Sequence, residues 1–489
     1  MFLYSVISVS SSRKCAQVLK IIITSTLLFV VILINACGSA KPVTSTVDQP
    51  RFLPVLPVSQ INIPIAIDIK QSINQLDSSM EKQFTSVNWP GYDQSGCDFR
   101  YRYRFIRSPF SVSCINNKVT IRFRGNYQIA GSKTVCAFGK QVAPWVSGSC
   151  GFGAEPMRRV DININSQLDL LPSQQIRTVT WLDKLQPIDK CEMTLLQTDM
   201  TGEIMDSIRS SIETYTKTFD QFIFTLNNNP ALKEWRNNGS QVMPISDYGF
   251  LNLNPTQLRV GKFNLTGDSL RFSVGFTGRP EFSSDSLRLI NSAKLPPVSN
   301  TENMGGIKAY INTIYQYDFF NKILNDSLRN KPFDVDGRTF VINQLNVGGT
   351  NAGKIFIDLQ FSGNRKGTLH LEGTPVLDSA TQVLSMPDIN FAVDTKDMMV
   401  NMAKGLFRKK ILKELKNQTV FDIAALVERN KVLISSRLNQ SVTEWMQTSG
   451  SFNQLKLVGV LPQKDHVQVQ FYIDASISLI GKVPANIGF

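Results

Sequence analysis

"INIPIAIDI", residues 61–69, places isoleucine at every second position, so Ile61, Ile63, Ile65, Ile67 and Ile69 share one face of a predicted β-strand. The next stretch, "KQSINQLDSSMEKQF", changes period to Ile73, Leu76, Met80 and Phe84, the spacing of an amphipathic helix. A strand and a helix whose apolar faces meet open an α+β unit. Pro64 has no N–H for a ladder, so the strand is expected at a sheet edge or a bulge.

Short alternating strands follow at "FRYRYRF", "KVTIRFRG" and "RVDININSQLDL", with "CINNKV" as a hairpin turn. Beyond them Ile204, Ile208, Ile212, Tyr215, Phe219, Phe222 and Leu226 recur at intervals of three and four, one apolar stripe along a long helix. A shorter helix at "NPALKEW" and strands at "TQLRVGKFNL" and "DSLRFSVGF" close a first unit, residues 55–282. "SSDSLRLINSAKLPPVSNTENMGG", 283–306, has the composition of a linker.

The order then repeats over 307–489. A strand at "GIKAYINTIY" leads to a helix at "DFFNKILNDSL" with Asp318 as N-cap, then strands at "KIFIDLQFSG", "GTLHLEGTPVLD" and "INFAVDT". Helices follow at about 396–416 and 420–445, and the strands "LKLVGVL" and "HVQVQFYIDASI" finish the chain. The expected fold is therefore α+β, two tandem units, each a strongly curved antiparallel sheet wrapped around long amphipathic helices.

Ahead of the first strand, Arg13, Lys14 and Lys20 precede "IIITSTLLFVVILINAC", an apolar run ending in a small residue before Cys37. That order reads as a lipoprotein signal peptide, residues 1–36, with the Cys37 thiol as the site of lipid attachment and residues 37–54 as a tether. An uncleaved membrane anchor is the rival, since about 20 apolar residues span a bilayer, but Asn35 and Gly38-Ser39 sit poorly at the end of a span. The expected location is the bacterial envelope, lipid-anchored at the outer membrane. The five cysteines that follow suit two disulfides and one free thiol in an oxidising compartment. Cys136 and Cys150, which flank a Gly/Pro/Ser loop, are the first candidate pair; zinc is disfavoured because no C-x-x-C occurs and the chain has 2 histidines.

The 489 residues are 42% hydrophobic and 19% charged, an ordinary globular balance. The net charge of +13 is scattered without long Lys/Arg runs, which fits a surface facing anionic lipid and excludes a nucleic-acid groove as the first reading.

"INIPIAIDIKQSINQL", "FRYRYRFIRSPFSVSCINNKVTIRF", "QLRVGKFNLTGDSLRFSVGFTGRPE" and above all "GTLHLEGTPVLDSATQVLSMPDINFAVDTK" resemble the domain-of-unknown-function 4403 family of bacterial envelope lipoproteins, from about residue 55 to the C-terminus. The resemblance implies no activity. The doubled order of strand, helix, meander and long helix is also similar to the tubular lipid-binding architecture, in which a curved sheet wraps a helix around an apolar channel.

Motifs for chemistry are few. "GGTNAGKI" matches the G-x-x-x-x-G-K spacing, but Ile355 stands where Ser or Thr would hold magnesium, and "KIFIDLQF" alternates as a strand, so it reads as a Gly-rich hairpin. No G-x-S-x-G elbow occurs, and His370 and His466 both sit in strands. Neither catalytic residues nor a cofactor are expected. In "CDFRYRYRFIR", Arg100, Arg102 and Arg104 share one strand face, a candidate anion clamp for lipid phosphates or sugar acids; the competing reading is an outer face paired with acids on neighbouring strands. The isoleucines of the opening strand and the stripe from Ile204 to Leu226 either fill a core or line a lipid-sized channel. The functional expectation is a lipid or other elongated hydrophobic ligand held without a covalent bond, the rival being a structural adaptor with solid cores and an envelope protein or glycan partner.

Overall fold

The computed structural model describes residues 53–482 except 195–197, 227–241, 246–248, 286–294, 336–337, 364–365, 395–408, 410–411, 414 and 418. Cys37, the predicted signal, the "NPALKEW" helix and most of the predicted 396–416 helix lie outside the described residues.

β1 (Ser59–Asp68) forms where the alternation predicts it and runs into α1 (Lys70–Ser79). It is a central strand, not an edge. Its whole length pairs antiparallel with Ser269–Gly278, while its other side meets two strands in succession: Gln60–Asn62 against Gly306–Lys308, then Ile65–Asp68 parallel to Leu479–Lys482. Pro64 falls in the gap between those partners, a local edge that a residue without an N–H tolerates.

β2 (Phe99–Arg107), β3 (Lys118–Lys133), β4 (Arg158–Leu170) and β5 (Ile176–Pro187) belong to an 8-stranded sheet, in spatial order β5-β4-β3-β2. The predicted hairpin into β3 is present: Ile115 pairs with Lys118 across Asn116 and Asn117, whose φ of 51° and 69° give the left-handed pair a two-residue turn requires. Tyr127, Val160 and Ile162 lie on one face of this sheet, and α2 (Thr201–Leu226) covers them with Ile204 and Met205.

The chain then returns to the first sheet with β6 (Pro255–Gly261), β7 (Ser269–Gly278) and β8 (Gly306–Gln316). After α3 (Tyr317–Leu328), β9 (Arg338–Gly349), β10 (Ile355–Gly363) and β11 (Gly367–Gly373) build a 5-stranded sheet. Gln316 stands at the N-cap of α3 without a side-chain capping bond, its Nε2 donating to Asp285 Oδ2 at 3.0 Å instead, and Asp318 lies in the first turn. Asn321 and Asn325 of α3 accept the β9 amides of Val347 and Leu345, at 2.6 and 2.9 Å, which pins helix to sheet.

α4 (Ile423–Arg437) is shorter than its predicted span, because Ser441–Thr443 is already strand; Asp422 caps it, accepting the Ala425 amide at 2.8 Å. The final hairpin, β12 (Met446–Pro462) and β13 (His466–Lys482), completes a 12-stranded sheet containing the run β8-β13-β1-β7-β6, with strands from both sides of residues 283–306. Ile423, Val427, Ile434 and Leu438, at helical spacing, seal α4 onto Phe452, Leu457, Phe471 and Ile473.

The wrapped-helix expectation is thus overturned. The described fold is 55% strand and 18% helix, in several separate sheets with no closed barrel. Helices lie against sheet faces, and the reason is visible in α2. Its buried residues follow the i+4 series Ile204, Ile208, Ile212, Thr216 and Asp220, and the Asp220 carboxylate accepts the Thr180 amide and hydroxyl of β5 at 2.9 and 2.7 Å. Tyr215 and Phe219 are left exposed, at 69% and 44%, so no sheet encloses the helix.

Two disulfides and one free thiol are present among the described residues, but the pairing differs from the expected Cys136–Cys150. Cys97 is joined to Cys136 and Cys150 to Cys191, and Cys114 is free and buried. Cys150 faces the core under α2, where Cys191 reaches it, whereas Cys136 lies in a separate 2-stranded ribbon, Cys136–Ala137 with Lys140–Gln141, that the disulfide ties to Cys97.

Candidate functional site

Where β1 turns parallel to the end of β13, the strands Ser441–Thr443 and β12 pass beside them, and a cleft of about 820 Å³ opens. That volume is within the range of small-molecule sites. Ile65, Phe272, Trp445, Met446, Leu479 and Ile480 supply its apolar lining. Period-two alternation puts Ile65, Phe272 and Leu479 on one face, since Leu479 pairs with Ile65 on neighbouring strands and Ile65 with Phe272 on the other side; Ile480, next to Leu479, belongs to the opposite face and meets the cleft at its rim. Trp445 is held by backbone, its carbonyl accepting the Lys482 amide at 2.9 Å. Asp68, Arg271, Glu444 and Lys482 also line the cleft. Arg271 and Lys482 hold no carboxylate among the described residues, so the apolar floor is bordered by two unpaired cations.

Of the isoleucines and helix residues expected to line a channel, Ile65 alone reaches the cleft. Ile61 and Ile63 pack on the core beneath α4, and Ile67 and Ile69 are half-buried. Ile204, Ile208 and Ile212 pack on the other large sheet, so the two sets do not share a channel. The side chains of Phe222 and Leu226 lie outside the described residues. The residues that sequence reasoning missed are Trp445 and the end of β13. "WMQTSG" offered no periodicity, whereas the alternation of "ASISLIGK" pointed to Leu479.

The three arginines of β2 do share a face, but they part company. Arg104 Nε donates to Gln83 Oε1 at 3.0 Å. Arg100 lies over the rings of Tyr92 and Trp145, at 4.6 and 4.4 Å, and Arg102 over Tyr92 and Phe152, at 4.7 and 4.8 Å. On the opposite face Phe99, Tyr101 and Tyr103 stack along the strand. Burial, then Tyr101, Asp93 and Tyr215, pushes the Tyr103 phenol above its usual range.

The other motifs fold as ordinary structure. "GGTNAGKI" is the β9–β10 hairpin, closed by the Thr350 amide donating to Lys354 O at 2.9 Å with Gly353 at φ 76°, and Lys354 pairs with Glu372 at 2.6 Å. His370 meets Asp358 at 2.7 Å on exposed strands, and buried His466 meets Asp465 at 2.8 Å. No group of three metal-binding side chains occurs among the described residues. No described helix is long and apolar enough to cross a membrane.

Fold and cleft define a β-rich, multi-sheet protein with a ligand-sized apolar recess. The chain belongs to the family described as domain of unknown function DUF4403, whose profile matches residues 57–480. No curated protein matches it. Among solved structures, a crystal structure of a lipopolysaccharide binding protein aligns over 87% of this chain and 99% of its own, at 10% identity and a TM-score of 0.20. At that score the likeness carries no argument.

Proposed function

We propose that the protein holds the hydrocarbon part of a lipid, or of another elongated hydrophobic molecule, in the cleft between β1, β7 and the β12–β13 hairpin, without a covalent bond. We place this activity in the bacterial envelope, with an acylated Cys37 as anchor. The observation that carries the reading is the apolar lining supplied by Ile65, Phe272, Trp445 and Leu479. Each methylene taken from water into such a site gains roughly 0.8 kcal/mol, so a short stretch of acyl chain gives useful affinity.

Trp445 makes the test direct. A brominated fatty acid, added in neutral detergent to the full chain, is expected to quench the part of the tryptophan emission that is missing from a Trp445→Phe variant, and Leu479→Glu is expected to abolish that quenching without lowering the melting temperature. Quenching that is absent, or that persists in Leu479→Glu, sinks the reading. The bet would then move to an adaptor that binds an envelope partner through exposed Tyr215 and Phe219 of α2.

A further inference from the structure

The arginines in the strands of the 8-stranded sheet divide into those that hold a carboxylate and those, Arg100, Arg102, Arg104 and Arg122, that hold none among the described residues; Arg104 bonds to Gln83 and Arg122 to Ser113 instead. Arg107, Arg124, Arg158, Arg159 and Arg177 each hold a carboxylate. For Arg100 and Arg102 the register explains the lack. Their cross-strand neighbours are Ser132 and Gln94 for Arg100 and Ala130 for Arg102, all uncharged. The nearby Asp93 carboxylate is taken by the amides of Val87 and Asn88, at 2.7 and 2.8 Å.

Aromatic rings replace the acids. Tyr92 serves both guanidinium groups, Trp145 adds a second ring to Arg100, Phe152 adds one to Arg102, and Trp89 packs on Phe152 at 6.1 Å. The Nε of each arginine is buried without a hydrogen-bond acceptor among the described residues, and one Arg102 terminal nitrogen donates to Pro90 O at 2.9 Å. Stacking fixes the planes of both groups and leaves their positive charge uncompensated. Residues two apart on a strand are separated by about 7 Å, a gap that one tetrahedral oxyanion can bridge with charge-assisted hydrogen bonds of about 2.8 Å.

We propose that Arg100 and Arg102, held by Tyr92, Trp145 and Phe152, form a binding site for a phosphate group, borne by a lipid headgroup or by a free phosphate ester. Arg104, engaged with Gln83, stands outside it. The site lies on a different sheet from the cleft and rests on its own observation.

The test is calorimetric titration of the full chain in dodecyl maltoside micelles with glycerol 3-phosphate, dioctanoyl phosphatidic acid and dioctanoylglycerol. Arg100→Gln/Arg102→Gln is expected to weaken the phosphate-bearing probes at least tenfold and to leave dioctanoylglycerol unchanged. Arg122→Gln, an arginine of β3 without a carboxylate, is expected to change nothing. Binding of glycerol 3-phosphate identifies a free phosphate ester as sufficient; binding of phosphatidic acid alone identifies the lipid headgroup. Should the double variant fold poorly, Arg100→Lys/Arg102→Lys keeps the charge but loses fork and stack, and the same loss is expected. The proposal is overturned if the wild-type chain binds neither phosphate probe, if the double variant binds both unchanged, or if Arg122→Gln weakens binding equally.

Discussion

Arg107→Met removes the most heavily bonded cation described in the fold. The Arg107 side chain is 2% exposed and its guanidinium donates five hydrogen bonds: Nε to Glu81 O at 3.0 Å, Nη1 to Asp77 Oδ1 at 2.6 Å and Ser108 O at 3.1 Å, and Nη2 to Asp77 O and Met80 O at 2.6 and 2.8 Å. It thereby caps the last turn of α1, while its plane rests on Phe110 at 3.9 Å. Burial pushes the Asp77 carboxyl up, but hydrogen bonds from Arg107 and the Phe110 amide outweigh it and hold the group below its usual range. Removing one partner of a buried pair costs about 3–5 kcal/mol, because the remaining charge and carbonyls stay buried. The exposed Lys82, 3.4 Å from the other Asp77 oxygen, offsets part of this, which sets the expectation near 3 kcal/mol. The assay is native-state hydrogen exchange on peptides covering 70–85 and 99–110, with the melting temperature alongside. Faster exchange confined to α1 and β2, partly restored by adding Asp77→Leu, is the expected result. Protection within threefold of wild type would refute the reasoning, since the hydrogen bonds would then contribute no more than exposed ones.

Two further predictions follow from the sheet that carries this clamp. Cys150→Ala/Cys191→Ala opens a link across 41 residues, and chain entropy puts the loss at about 4 kcal/mol, read as a lower urea midpoint; an unchanged midpoint would mean that the core beneath α2 holds that segment unaided. Hydrogen bonds from Arg159 hold the Asp189 carboxyl at about 2, below its ordinary 3.8. A depressed folded-state pKa gives stability that is present above about pH 4 and lost as pH falls through 2, so the melting temperature of Asp189→Asn should fall less steeply over that window than that of wild type.

What the chain made legible was local. The alternation in 61–69 named a strand and its face, and the Asn116-Asn117 pair named a turn, because each depends on neighbours in sequence. The partners of β1 were hidden: an alternation fixes which side is apolar but not which strand lies beside it, and Leu479 is some four hundred residues from Ile65. In α2 the apolar stripe was real, yet its sheet-facing side also carries a hydrogen bond from β5 to Asp220, and no hydropathy pattern marks a polar contact between helix and sheet. The cysteines were paired by the loop they flank, whereas strand geometry joins residues across the sheet. For the arginines the shared face was readable, but Tyr92, Trp145 and Phe152 arrive from separate segments, so the stack was not.

The place of β1 between strands from both ends of the sequence also sets a timetable. Ser59–Asp68 emerges early in synthesis, yet its parallel partner is in β13, residues 466–482. Until that hairpin has emerged, one side of Ile65–Asp68 stays unpaired and the isoleucine face lacks the β12–β13 core it packs on, the kind of surface on which nascent chains associate wrongly. A chain that crosses a membrane before folding would have to keep this strand guarded throughout passage, and losing the last hairpin would strip the cleft of two of its walls.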